Sequence, residues 1–214
     1  MKIALIGATG FVGSAILQEL ANRGHQVTAV VSNIAKVPAL ANVTARASNA
    51  YDAADIAAAV AGHDAVISAF NPGWGKPDIQ ALFLQGHNAI VAGVKAAGVA
   101  DFLEVGGAGS LYIAPGLQLI DTPDFPAEWK EGALGAREAL NLLRAESSLK
   151  WRFVSPPVFL APGERTGQYR VGGDDVLFAG EQPAGISVAD LAVAIVDEIE
   201  TPKHIQQRFT AASV

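Results

Sequence analysis

No cysteine occurs in the 214 residues, which excludes disulfides, thiolate metal sites and a cysteine nucleophile. Charge is sparse: 17% of the residues are Asp, Glu, Lys or Arg, the net charge is −6, and the lysines and arginines form no cluster. Such a surface argues against contact with nucleic acid. No apolar run approaches the length that spans a bilayer, so no membrane association is expected. The N-terminus lacks the basic region and cleavage pattern of a signal peptide, and the expected location is cytoplasmic. No spacing of His, Asp and Glu suggests a metal site.

What is present is apolar. Half of the chain is hydrophobic and its mean hydropathy is +0.29. Much of that excess is Ala and Val, which suits strands covered by helices on both faces. The length fits one α/β domain, residues 1–214, with a single sizeable core. Residues from about 157 to 214 are expected to form a small substrate-side extension packed on it.

The most informative stretch is the opening, Ile3-Ala4-Leu5-Ile6-Gly7-Ala8-Thr9-Gly10-Phe11-Val12-Gly13. Apolar residues run into a glycine-punctuated turn, and a helical period follows, as a buried parallel strand feeding a helix requires. Glycines at 7, 10 and 13 serve tight turning, close approach of backbone to a pyrophosphate, and close packing of helix on strand. Unpaired amides at the helix start would face the anion. A second strand, 26–31, follows one amphipathic helix later. This β-α-β context is what separates a dinucleotide turn from a glycine-rich turn that holds nothing.

At the end of the second strand, no acidic residue is available to accept from an adenosine 2′-hydroxyl. Ser32 and Asn33 can donate to a 2′-phosphate and Lys36 lies one turn on, so NADPH is expected over NADH, although Lys36 also reads as an ordinary solvated lysine. Further strands are expected at 43–47, 64–70, 101–105 and 151–155, with helices at 54–61, 80–97 and 131–147. Asn49 and Ala50 would lie near the adenine. The fourth strand leads into a Pro/Gly-rich loop carrying Trp74, which would line a substrate pocket or cover the core. The run Gly106-Gly107-Ala108-Gly109 leaves room for a flat ring. Short strands are expected near 168–171 and 176–178, a helix capped by Ser187 with Asp190 three residues on, and an edge strand at 209–212. The fold class is therefore a Rossmann-type, doubly wound parallel sheet with helices on both faces.

Gly7-Ala8-Thr9-Gly10-Phe11-Val12-Gly13, the small-residue run after the fifth strand, Ser155-Pro156-Pro157 and Ile186-Ser187-Val188-Ala189-Asp190-Leu191-Ala192 together resemble the atypical short-chain dehydrogenases of the NAD(P)H-binding, NmrA-like and NADH-flavin reductase type. Biliverdin reductase B is similar at a greater distance. The resemblance implies that Gly7, Thr9, Gly10, Phe11 and Val12 surround the pyrophosphate, that Ser32 and Asn33 occupy the adenosine 2′ position, that Ser68, Ala69 and Phe70 flank the ribose, and that Pro156, Pro157 and Val158 flank the nicotinamide, with Gly106 and Gly107 beside it. Many relatives carry Arg where this chain has Ser32, and often Asp where it has Asn49.

The wider superfamily exchanges a proton through Tyr-x-x-x-Lys, the Lys lowering the Tyr pKa. Tyr51, Tyr112 and Tyr169 are followed four residues on by Asp55, Gly116 and Gly173, so that apparatus is missing. A flavin such as FMN, or a quinone, needs only positioning near the nicotinamide. The expected function is hydride transfer from NADPH to such a small-molecule acceptor, with Trp74, Gly109, Tyr112, Phe159 and Arg165 near it. Tyr112 and His87 are the candidate proton donors, His87 reading more readily as a helix residue without a catalytic role. Arg165 would pair with an acceptor carboxylate or phosphate, or brace its own loop. The alternative is an NmrA-like, non-catalytic redox sensor that passes the state of its dinucleotide to a protein partner.

Overall fold

The computed structural model describes residues 1–214. Its centre is an eight-stranded sheet: β1 (Lys2–Ile6), β2 (Gln26–Val31), β3 (Val43–Ala47), β4 (Ala65–Ser68), β5 (Asp101–Val105), β6 (Lys150–Ser155), β7 (Arg170–Gly172) and β8 (Gln207–Ala212). The spatial order is β7-β8-β6-β5-β4-β1-β2-β3, all pairings parallel except the antiparallel contact of β7 with β8. This is a Rossmann-type, doubly wound sheet. Helices α1 (Phe11–Asn22) and α5 (Val188–Glu200) pack together on one face; α2 (Ala53–Val60), α3 (Ile79–Ala96) and α4 (Ala127–Arg144) cover the other. Parallel strands buried on both faces explain the near-continuous apolar runs of β1 and β4.

Two expectations change. Strand β8 is interior, not an edge, because β7 folds back antiparallel along it. Both of its faces are accordingly buried, Phe209 and Ala211 against the α1/α5 layer, Arg208 and Thr210 on the opposite side. Of the C-terminal residues 157–214, α5 and β8 are thus built into the main helical layer and sheet. Helix α4 starts at Ala127, four residues before the expected 131: Pro126, whose ring fixes φ near the observed −60°, stands at its N-cap position.

The strand order reverses beside β1: from there the chain runs to β2 and β3, then crosses back to β4. Ligands of open α/β sheets bind outside the carboxyl ends of the strands at this switch point.

Candidate active site

Strand β1 ends at Gly7, whose φ is +77° and whose added Cβ would lie 2.6 Å from the Ala69 carbonyl oxygen at the end of β4. Glycine is therefore required twice, by conformation and by approach of the two strand ends. A Cβ on Gly13 would fall 2.1 Å from the Gly7 carbonyl oxygen, so Gly13 lets α1 sit against the turn. Gly10 is different. Its φ of −77° suits any residue, and a Cβ would meet nothing closer than the Gly7 oxygen at 3.4 Å. The protein's own packing leaves Gly10 optional, while its backbone faces a cleft.

That cleft, of about 400 Å³, runs along the ends of β1, β2 and β4. Gly7, Thr9 and Gly10 form one wall; Ser32, Asn49, Ala50 and Tyr51 form the far end; Ala69, Phe70, Asn71 and Lys76 close the other side. Helix α1 has no side-chain cap, and the amides of Phe11, Val12 and Gly13 donate to no group of the chain. With the helix dipole, those amides make an anion site. An uncapped helix start, a glycine that packing does not require and a lysine on the opposite wall fit the pyrophosphate of a nicotinamide dinucleotide.

Not every expected residue reaches this cleft. The Asn33 carboxamide oxygen instead accepts from the Ala35 amide at 3.0 Å, capping the short 3-10 turn Ile34–Lys36, and Lys36 is exposed outside the lining. The cation at the cleft is Lys76, from the loop after β4. Ser68 is buried below the surface, leaving Ala69 and Phe70 as the lining. Tyr51, absent from the sequence-based set, meets the Phe70 ring edge-on at 5.6 Å. Burial and the nearby Asp78 charge hold its phenol above the usual pKa, hence neutral.

A second cavity of about 670 Å³ opens beyond β5 and shares Asn71 with the first. Gly106, Gly107 and Gly109 form part of it, with Trp74, Val158 and Phe159, as the sequence suggested. The glycines have separate causes. A Cβ on Gly106 would enter the Phe153 ring at 1.9 Å and one on Gly109 would sit 2.9 Å from Ala133 of α4, so both are small because the core and α4 press on them. Only at Gly107 would a Cβ stay at ordinary distance from the protein, 3.7 Å from Ala136. Helix α4 faces the cavity with Gly132, Ala133 and Ala136, and the Trp74 ring lies over Gly132. Sequence reasoning missed Phe125 and Trp129, which complete an aromatic surround. Trp129 lies in the first turn of α4, ahead of the helix start expected at 131, so the helical period does not mark it.

The remaining candidates lie elsewhere. Pro156 and Pro157 are buried and line neither cavity. Tyr112 belongs to a short hairpin, 112–118, and faces a separate shallow groove with Asp175 and Phe178. The Arg165 guanidinium is held by both carboxylate oxygens of Glu19 on α1, at 2.6 and 2.8 Å, so it braces its loop. Asp190 takes part in the same bracing: Ser187 Oγ accepts from its amide, but its carboxylate, instead of completing a capping box, accepts from the Thr166 amide and hydroxyl and the Gly167 amide. His87 is buried between α3 and β5, its Nδ1 at 2.8 Å from the equally buried Glu104 carboxylate. Burial opposes charging the ring, yet the Glu104 charge and hydrogen bond outweigh it and raise the His87 pKa. Neither candidate proton donor touches the second cavity, and no Tyr, His, Lys or Arg lines it.

Comparison with known proteins agrees with this geometry. The model of a family described as NAD(P)H-binding matches residues 7–202. The Bacillus subtilis (strain 168) protein YwnB is 38% identical over 216 residues, covering 100% of this chain and 99% of its own. A crystal structure from Bacteroides thetaiotaomicron, described as a "putative epimerase", is 44% identical with a TM-score of 0.93 and covers 100% of this chain and 97% of its own. One from Streptococcus pneumoniae TIGR4, described as a "putative NADH-flavin reductase", is 37% identical with a TM-score of 0.86 and covers both chains fully, 100% of each. The resemblance drawn from the sequence motifs is borne out, and no helix is long and apolar enough to cross a membrane. The chain belongs to the NAD(P)H-binding family of Rossmann-fold, oxidoreductase-like proteins.

Proposed function

We propose that the chain is an NAD(P)H-dependent reductase that delivers hydride to a flat aromatic acceptor, a flavin or quinone, and that it prefers NADPH. One observation carries the reading: the cavity that adjoins the dinucleotide cleft is walled by aromatic and small residues and contains no side chain suited to donate a proton at neutral pH. Reduction of a carbonyl needs such a donor in the transition state. A flavin or quinone does not, since a bound NADPH supplies a hydride, two electrons with one proton, and water supplies the second proton of the reduced ring. The protein's task is then to hold two flat rings in contact and keep bulk water out.

The named residues suit that task. Trp74, Trp129, Phe125 and Phe159 offer faces for stacking; Gly107 leaves the floor open; Asn71 stands where the two cavities meet. The first turn of α1 would hold the pyrophosphate. Preference for NADPH is supported by the missing acid after β2 and by Ser32 in the lining. The Streptococcus pneumoniae relative, described as a "putative NADH-flavin reductase", supports a flavin as acceptor and names NADH, not NADPH, as donor.

Oxidation of NADPH, followed at 340 nm with riboflavin, FMN and menadione, tests the reading. Acceptor-dependent oxidation is expected, faster with NADPH than with NADH. Tight NADPH binding with no acceptor reduced would overturn it in favour of a sensor acting through a protein partner.

A further inference from the structure

The acceptor cavity has an unequal charge environment. Asp124 is its only ionisable lining residue; Asn71 and Thr122 are its other polar ones. The segment 106–131, which supplies most of the wall, contains four acids, Asp121, Asp124, Glu128 and Glu131, against one base, Lys130, a net of −3 out of −6 for the whole chain. All five are exposed; Asp121 is paired with Arg137, and Asp124 is the acid that lines the cavity. The arginines that could answer a phosphate or carboxylate are committed elsewhere. Arg137 donates to Asp121 at 3.0 Å and to Gln118 at 3.2 Å, and Arg165 is locked on Glu19. Lys76 lines the dinucleotide cleft and is absent from the acceptor cavity.

From this, resting on the reductase reading above, we propose that the acceptor cavity selects neutral flat acceptors and disfavours anionic ones, so that riboflavin or an uncharged quinone is taken in preference to a phosphate-bearing flavin such as FMN. The aromatic walls reward burial of any flat ring equally, since stacking does not depend on a distant substituent. A phosphate on that ring finds no Lys or Arg in the lining, loses hydration on entering, and meets the Asp124 carboxylate. Because Asp124 is exposed, the discrimination is moderate and screened by salt, the Debye length being about 8 Å at physiological ionic strength.

Riboflavin and FMN share one ring system and differ only in the phosphate, which makes them the probes. Calorimetric titration of the full chain with each, without nicotinamide, reads binding alone; oxidation of NADPH with each reads turnover. At low ionic strength riboflavin is expected to bind about tenfold more tightly than FMN, the ratio falling towards one in 0.5 M salt. Asp124→Asn should lower the riboflavin-to-FMN ratio about threefold, whatever it does to the affinity common to both. FMN binding as tightly as riboflavin, or a ratio that neither salt nor D124N moves, overturns the inference. If riboflavin is selected in the binding titration and neither flavin is reduced, charge selection stands and the reductase reading fails. If both are reduced with equal kcat/KM, the reductase reading stands and charge selection fails.

Discussion

Alanine at the three glycines of the first turn should separate packing from ligand binding. At Gly13 the new methyl would lie 2.1 Å from the Gly7 carbonyl oxygen, a backbone atom that cannot move aside without shifting β1. Overpacking of this kind costs about 3 kcal/mol, and at about 2–4 °C per kcal/mol for a chain of this size the melting temperature should fall by about 6–12 °C. Gly7→Ala should be at least as damaging, since its 2.6 Å contact adds to a left-handed φ of +77°. Gly10→Ala should do the opposite. Its φ is ordinary and its nearest contact is at 3.4 Å, so the loss of unfolded-chain entropy should leave stability unchanged or raised by about 0.5 kcal/mol. The methyl would instead occupy space that a pyrophosphate needs. Losing one or two amide contacts to a charged group, at about 1.5–3 kcal/mol each, weakens dinucleotide binding about a hundredfold. Thermal melting by circular dichroism and calorimetric titration with NADPH read the two effects. The account is refuted if G10A binds NADPH like the wild type, or if it lowers the melting temperature as much as G13A.

Two further predictions address charge. Ser32→Asp places a carboxylate at the end of β2, where it would accept from a ribose 2′-hydroxyl and repel a 2′-phosphate; the ratio of NADPH to NADH affinity should fall about tenfold or more, and an unchanged ratio would remove Ser32 from the adenosine site. The buried His87–Glu104 pair predicts a pH dependence of stability. Because the His87 pKa is raised above its ordinary 6.5, the folded state holds a proton that the unfolded state releases, so the contribution is complete below about pH 6.5 and is lost as pH climbs through the folded-state value. Urea unfolding between pH 6 and 9 should show stability falling with pH, and Glu104→Gln should flatten that slope while costing about 1–3 kcal/mol at the acid end. A slope equally steep in E104Q would assign the titration to another group.

The parts that sequence made legible are those governed by local constraints. The glycine turn at 7–13, the positions of the first six strands, five of them buried along most of their length, and the Ser187 cap each depend on neighbours within a few residues. What failed depends on residues far away in sequence. The interior place of β8 is set by β7, which returns beside it only after the loop from 157 to 169. The cation of the dinucleotide cleft is Lys76 and not Lys36, because Asn33 tightens a turn that directs Lys36 to solvent. Of the two readings of Arg165, ligand partner or loop brace, the choice is made by Glu19, a residue of α1 with only 3% exposure that accepts from the guanidinium. The glycines after β5 likewise answer to distant residues. Gly106 makes room for Phe153 and Gly109 for α4, which leaves Gly107 alone open to the cavity.

That opening allows the most direct test of the central claim, that hydride passes to an acceptor seated over Gly107. At φ −141° and ψ 164° the backbone there accepts any residue, and a Cβ has 3.7 Å of clearance from Ala136. Gly107→Leu should therefore fold, bind NADPH within about threefold of the wild type through the distant first turn of α1, and project its branched side chain into the acceptor position above the cavity floor, cutting riboflavin-dependent NADPH oxidation at least about tenfold. Acceptor-dependent oxidation that G107L leaves at the wild-type rate would contradict the account, as would a wild-type chain that oxidises NADPH no faster with riboflavin than without it.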